Sequence, residues 1–195
     1  MIDERPALPC ALLIVDAISD FDFPGGDRLL RAARRVAPRI ALLKRRMKGF
    51  GAAVVFANDN PGRWRSDFRG LVERCGAEGC PGAPIVAALA PEPDDYFVLK
   101  PKHSPFFDTP LALLLQDLGV QTLVIAGFAG DGCVLTAAAD AHMRDYSVFV
   151  PRDAIASQTP ARNRRALALL RESLEVDTRP VARLTRRVLS ARSRD

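Results

Sequence analysis

The stretch TLVIAGFAGDGCVLTAAADAHMRDYSVFV, residues 122–150, reads as a strand, a glycine-rich turn, a helix and a second strand. TLVIAGF (122–128) is a continuous apolar run rich in β-branched residues, as expected of a strand covered on both faces. Helical periodicity follows from Gly132 to Arg144, and YSVFV (146–150) returns to the strand pattern. A strand, a crossover helix and a strand in that order form a parallel pair.

The same alternation extends through the rest of the chain. ALLIVDAI (11–18), GAAVVFAN (51–58) and YFVLK (96–100) are further strands, and a weak one lies near Leu174–Thr178. Between them, residues 27–48 set Leu29, Leu30, Ala33, Val36, Ile40, Leu43 and Met47 near one helical face. Pro38 is expected to bend or break that helix. Helices are also predicted at 67–76, at 109–118 with Thr109 as cap and Pro110 at its first position, and at 161–173. A last one starts around Pro180. The predicted fold is α/β: a three-layer αβα sandwich around a parallel sheet of about six strands, Rossmann-like and doubly wound. No linker or repeat divides the chain, so one domain spans 1–195, with 179–195 a basic C-terminal helix or tail.

A hydrophobic fraction of 48% against 26% charged residues excludes disorder as the main state. No apolar run approaches the ~18 residues a membrane helix needs, and MIDERPALPC lacks a secretory pattern. A cytoplasmic protein without membrane contact is expected. The net charge of +5 resides in the tail, where residues 161–195 hold ten arginines against four acids. No aromatic residue is interleaved with them, which makes nucleic acid a poor partner. Cys75 and Cys80 lack a second Cys or His pair, so they read as incidental loop cysteines rather than half a zinc site.

In doubly wound sheets, ligands bind beyond the carboxyl ends of the strands. Three such ends carry reactive groups: Asp16, Lys100, and Cys133 at the start of a helix. Lys102 is the competing lysine, two residues past its strand end. A helix N-terminus and a nearby ammonium both favour thiolate, while a carboxylate accepts the thiol proton. Nucleophile, cation and base together suit acyl transfer through a thioester. Gly127, Gly130 and Gly132 let the intervening loop turn its amides inward as an oxyanion hole. Their order is wrong for the dinucleotide fingerprint GxGxxG.

Three stretches, ALLIVDAISDF (11–21), VLKPKHSPFFDTPLALLLQDLGV (98–120) and LVIAGFAGDGCVLTAAADAHMRDYSVFVPRDAIAS (123–157), resemble the isochorismatase-like cysteine hydrolases in order and spacing. The resemblance covers most of residues 10–178. It implies a six-stranded parallel sheet, a catalytic triad at Asp16, Lys100 and Cys133, and a cis Phe128–Ala129 bond. It also implies oxyanion donors at the amides of Ala129 and Cys133, and a homo-oligomer.

Isochorismatase itself cleaves a vinyl ether without needing the cysteine, so the presence of Cys133 favours the C–N-cleaving branch. Nicotinamidases of the family carry a metal-binding Asp-x-His and a further His after the second strand. This chain reads FANDNPGRWRSDF there and has no histidine before His103. Neither metal nor cofactor is expected. Asn58, Trp64, Phe21, His103 and Phe106 are the candidate substrate-binding residues, with Phe107 a further wall candidate. His103 reads as a hydrogen-bonding loop residue rather than a second base, and His142 as structural. The expected activity is hydrolysis of an amide or ureido-like bond of a small molecule. The alternatives are an ether hydrolase with no covalent intermediate, and a non-catalytic protein that binds through its basic tail.

Overall fold

Alternation of side chains along β1 (Cys10–Val15) divides the core in two. Cys10, Leu12 and Ile14 join one cluster, whereas Ala11, Leu13 and Val15 join the other. β1 is buried throughout, and each Leu or Ile so covered contributes about 1.5–3 kcal/mol relative to exposure. The computed structural model describes residues 8–60 and 65–191. Among these, β1 lies at the centre of a parallel sheet with β2 (Ala53–Asp59), β3 (Tyr96–Lys100), β4 (Thr122–Phe128), β5 (Ser147–Phe149) and β6 (Ile155–Ala156). The strand order is β3-β2-β1-β4-β5, and β6 also pairs with β4. β5 follows the beginning of β4 and β6 its end, so the two succeed each other along one side of that strand. The weak strand expected near 174–178 is reduced to a single bridge between Phe149 and Asp177.

One layer contains α1 (Gly26–Gly49), α2 (Phe68–Gly76), α3 (Ala83–Leu89) and α7 (Arg186–Ala191); the other contains α4 (Leu111–Asp117), α5 (Cys133–His142) and α6 (Pro160–Glu172). No helix among the described residues is long and apolar enough to cross a membrane.

Local details differ from the sequence expectations. Strand β1 stops at Val15 instead of Ile18, because Asp16 takes a left-handed φ of 48°. Helix α1 runs unbroken through Pro38. Its apolar face, with Leu29, Ala33, Ile40, Leu43 and Met47 buried, holds the backbone helical there. Helix α4 begins at Leu111, with Thr109 Oγ1 accepting from the Leu111 amide at 3.2 Å. Helix α3 has no counterpart in the sequence expectations. Cys75 is a buried residue of α2, not a loop residue. The C-terminal helix is split into a 3-10 turn at Val181–Arg183 and α7, and Val181, Leu184 and Leu189 are buried in the core. Arg46 fastens this segment by donating to the carbonyls of Val181 and Leu184 at 2.7 and 2.8 Å.

Two lysines of α1 anchor the approach to β3. Lys44, itself buried, lies 2.7 Å from Asp95 Oδ2 and donates to the Ala90 carbonyl. Lys48 meets Asp95 at 2.8 Å and Asp94 at 2.6 Å. Breaking a buried pair of this kind by removing one partner costs about 3–5 kcal/mol. The clamp sets where β3 begins, and therefore where Lys100 ends it.

Candidate active site

The sheet reverses its direction of growth between β1 and β4, with β2 added on one side of β1 and β4 on the other. A crevice opens at such a switch point. Asp16 follows β1 directly, and Cys133 lies just beyond β4 as the first residue of α5. Gly127 permits this closeness. Its φ is 118°, and a Cβ there would stand 2.0 Å from the Val15 carbonyl oxygen. The next peptide, Phe128–Ala129, is cis.

Lys100 connects the two sides. It is fully buried, with Nζ 2.9 Å from Asp16 Oδ2 and 3.5 Å from Cys133 Sγ. Asp59, paired with Lys100 in the β2–β3 register, also accepts a hydrogen bond from Nζ. The Asp59 amide donates to Asp16 Oδ1 at 2.9 Å, so both oxygens of Asp16 have donors. Sequence reasoning gave Asp59 no such role. The parallel register supplies the reason: it brings the last residues of β2 and β3 side by side.

Burial pushes the Asp16 carboxyl up to about 6; Lys100 opposes the rise and Asp59 adds to it. Burial also pushes the Cys133 thiol up, to about 12, and the Asp16 carboxylate adds to this more than Lys100 subtracts. Burial and the neighbouring carboxylate thus oppose the thiolate that the helix end and Lys100 favour. Burial works against the Lys100 charge, but the negative charges of Asp16, Cys133 and Asp59 outweigh it and hold the ammonium protonated.

The loop from Ala129 to Cys133 is fixed by its own amides. Gly130 N–H donates to the Ala156 carbonyl, Asp131 N–H to Ser157 Oγ, and Gly132 and Val134 N–H to the Ala129 carbonyl. The amides of Ala129 and Cys133 have no acceptor among the described residues. Both residues line the cavity described next.

A cavity of about 430 Å³ opens over this group. Phe21, Asn58, His103 and Ala129 line it, together with Phe128 and Arg74, which sequence reasoning missed. Phe128 is the last residue of β4, and its ring centroid lies 6.3 Å from that of Phe21. Asn58 is buried, and its Nδ2 holds the Ile18 carbonyl at 2.9 Å, which ties the Phe21 loop to β2. His103 places Nδ1 3.6 Å from Cys133 Sγ.

Phe106 corrects the expectation that it lines the pocket. It is buried on the opposite face with Leu111, Val134 and Ala138, its ring 6.1 Å from Tyr146 and under the Arg144 guanidinium. The apolar space between α4 and α5 takes the ring away from the strand ends. Phe107 is half exposed and outside the cavity lining. Trp64 lies outside the described residues. His142 ends α5, remote from the sulfur. Among the described residues no group of three His, Cys, Asp or Glu side chains converges as a metal ion requires.

The Isochorismatase domain model matches residues 10–179. The chain is 38% identical over 164 residues to the uncharacterized isochorismatase family protein YaaI of Bacillus subtilis, covering 84% of this chain and 90% of that protein. It is 33% identical over 160 residues to the probable inactive nicotinamidase At3g16190 of Arabidopsis thaliana, covering 77% and 82%. Among solved structures, an isochorismatase family protein of Desulfovibrio vulgaris superposes with a TM-score of 0.70 at 26% identity, over 90% of this chain and 95% of that one. The nicotinamidase PncA of Bacillus subtilis superposes with a TM-score of 0.69 at 25% identity, over 88% and 99%. With the match spanning every strand from β1 to the Asp177 bridge, the chain belongs to the isochorismatase family of hydrolases.

Proposed function

We propose that this protein is a cysteine-dependent hydrolase that cleaves the C–N bond of a small carboxamide or ureido compound. One observation carries the reading: the Cys133 thiol and the Asp16 carboxyl both meet the buried Lys100 ammonium at one end of the sheet. As the sulfur attacks the carbonyl carbon, its proton passes to Asp16. The oxyanion is received by the amides of Ala129 and Cys133. Asp16 then returns the proton to the departing nitrogen as the C–N bond breaks, leaving a thioester on Cys133. A water molecule gives a proton to Asp16 and its hydroxide to the thioester carbon. The carboxylic or carbamic acid leaves, and the sulfur regains its proton. Lys100 keeps Asp16 ionised between these steps and compensates charge on the sulfur.

One structural relative, PncA of Bacillus subtilis, is a nicotinamidase, an enzyme of amide chemistry. The name of the Arabidopsis relative includes both nicotinamidase and inactive. The presence of all three reactive groups within reach of one another supports an active protein here. The acting form is proposed to be a cytoplasmic homo-oligomer, as the family resemblance implies.

The test is a screen of small carboxamides and ureido compounds for ammonia release, run on the wild type and on Cys133→Ala, with intact-mass detection of a covalent adduct. Turnover in the wild type alone, with an acyl adduct on Cys133, is the expected result. Undiminished turnover in Cys133→Ala overturns the thioester reading and leaves an ether-type hydrolase without a covalent intermediate.

A further inference from the structure

We infer that His103 is a second proton acceptor for Cys133, acting beside Asp16. The inference rests on Cys133 being the nucleophile.

His103 is exposed and lines the cavity, yet its Nδ1 is 3.6 Å from the buried Sγ. Lys100 approaches the same sulfur at 3.5 Å from within the sheet. The sulfur thus stands between a fixed cation and an imidazole, the side chain suited to moving protons near neutral pH. Asp16, in contrast, has one oxygen against Lys100 and the other against the Asp59 amide. It is held for charge balance as well as for proton transfer.

The position of His103 is braced rather than incidental. Its neighbour Ser104 donates through Oγ to Asp140 Oδ2, and the same Oγ accepts from the Phe106 amide at 3.2 Å. Asp140 lies on α5, the helix that begins with Cys133. The loop that carries the imidazole is therefore tied to the helix that carries the thiol. Phe106, two residues beyond Ser104, is buried in the same apolar cluster as Val134 and Ala138 of α5, which adds an apolar anchor. The titratable and charged groups around it are Cys133 and Asp140 from α5, with Arg144 paired to Asp140, Asp16 at the end of β1, Asp59 from β2 and Lys100 from β3, and Asp20, Asp22 and Arg74 in the same cavity wall.

In this step the Sγ–H bond breaks and an Nδ1–H bond forms, giving a thiolate and an imidazolium. The sulfur lone pair forms the C–S bond, and the imidazolium gives its proton to the departing nitrogen as the C–N bond breaks. The thiol proton has two exits, to Asp16 and to His103. No further reactant is required.

The test measures alkylation of Cys133 by iodoacetamide against pH, followed on the Cys133 peptide so that the other cysteines do not contribute. His103→Asn keeps a polar atom near the Nδ1 position but removes the ionisation. The expected result is alkylation roughly tenfold slower near neutral pH, and a profile that lacks one ionisation present in the wild type. An unchanged rate and profile overturn the proposal. A slower rate with the wild-type profile also overturns it, because His103 then only orients the sulfur. In Asp16→Asn, the remaining pH-dependent step is the one that His103→Asn removes; its absence there counts against the proposal. Alkylation needs no substrate, so failure to hydrolyse any amide leaves this result standing on its own.

Discussion

Asp59 and Lys100 occupy matching positions at the ends of neighbouring parallel strands, and the exposed carboxylate of one holds the buried ammonium of the other. Lys100 is thereby bound by two carboxylates, with Asp16 at 2.9 Å as the second. Under the proposed function the arrangement separates two duties: Asp16 exchanges protons with the sulfur, whereas Asp59 keeps Lys100 directed at both.

Asp59→Asn is expected to lower kcat roughly tenfold with little change in KM, since it loosens a residue that touches the reacting group without touching substrate. Lys100→Met is expected to be more severe, raising both the Asp16 carboxyl and the Cys133 thiol further, because Lys100 lowers both. Steady-state kinetics on the two variants give the comparison. An Asp59→Asn effect confined to KM would place Asp59 in the binding of substrate instead.

Activity is expected to rise with pH through about 6, the value to which burial lifts Asp16. Below it the carboxyl is protonated and cannot accept from sulfur, so kcat/KM falls about tenfold per pH unit. No second rise is expected between pH 7 and 9, because the Cys133 thiol is held near 12 and loses its proton only as it attacks. A pH–rate profile decides this. A rise centred near the ordinary thiol range of about 8.5 would mean that a free thiolate is the reacting form.

Gly127→Ala is expected to destabilise the protein by about 2–4 kcal/mol. The new Cβ would meet the Val15 carbonyl at 2.0 Å, at a φ of 118° that L side chains rarely adopt. Relief requires β1 and β4 to part at the ends that hold Asp16 and Cys133. Urea unfolding gives the stability change, and the rate of Cys133 alkylation gives the displacement of the sulfur. A midpoint equal to that of the wild type would show that the sheet relaxes there without cost.

The architecture was legible because buried parallel strands must be apolar on both faces. ALLIV, AVVFA and TLVIAGF therefore stand out with no knowledge of what covers them. The ends of those strands were legible for the same reason, and Asp16, Lys100 and Cys133 do meet there. Phe106 was misread because a phenyl ring in a loop beside the site suits a pocket wall and a core equally well. Only the gap between α4 and α5 assigned it to the core.

Composition and periodicity by themselves indicated the layered architecture, β1 to β5 and three candidate residues at the strand ends, but not α3 or β6. Which groups touch was decided by register and burial, both properties of distant segments brought together. The β2–β3 pairing gave Lys100 its second carboxylate, and the loop after β3 brought His103 to the sulfur. Burial then opposed the thiolate. Helix end and lysine favour thiolate, but removing the sulfur from water beside Asp16 costs more than they return, and that cost exists only once the chain has folded over it.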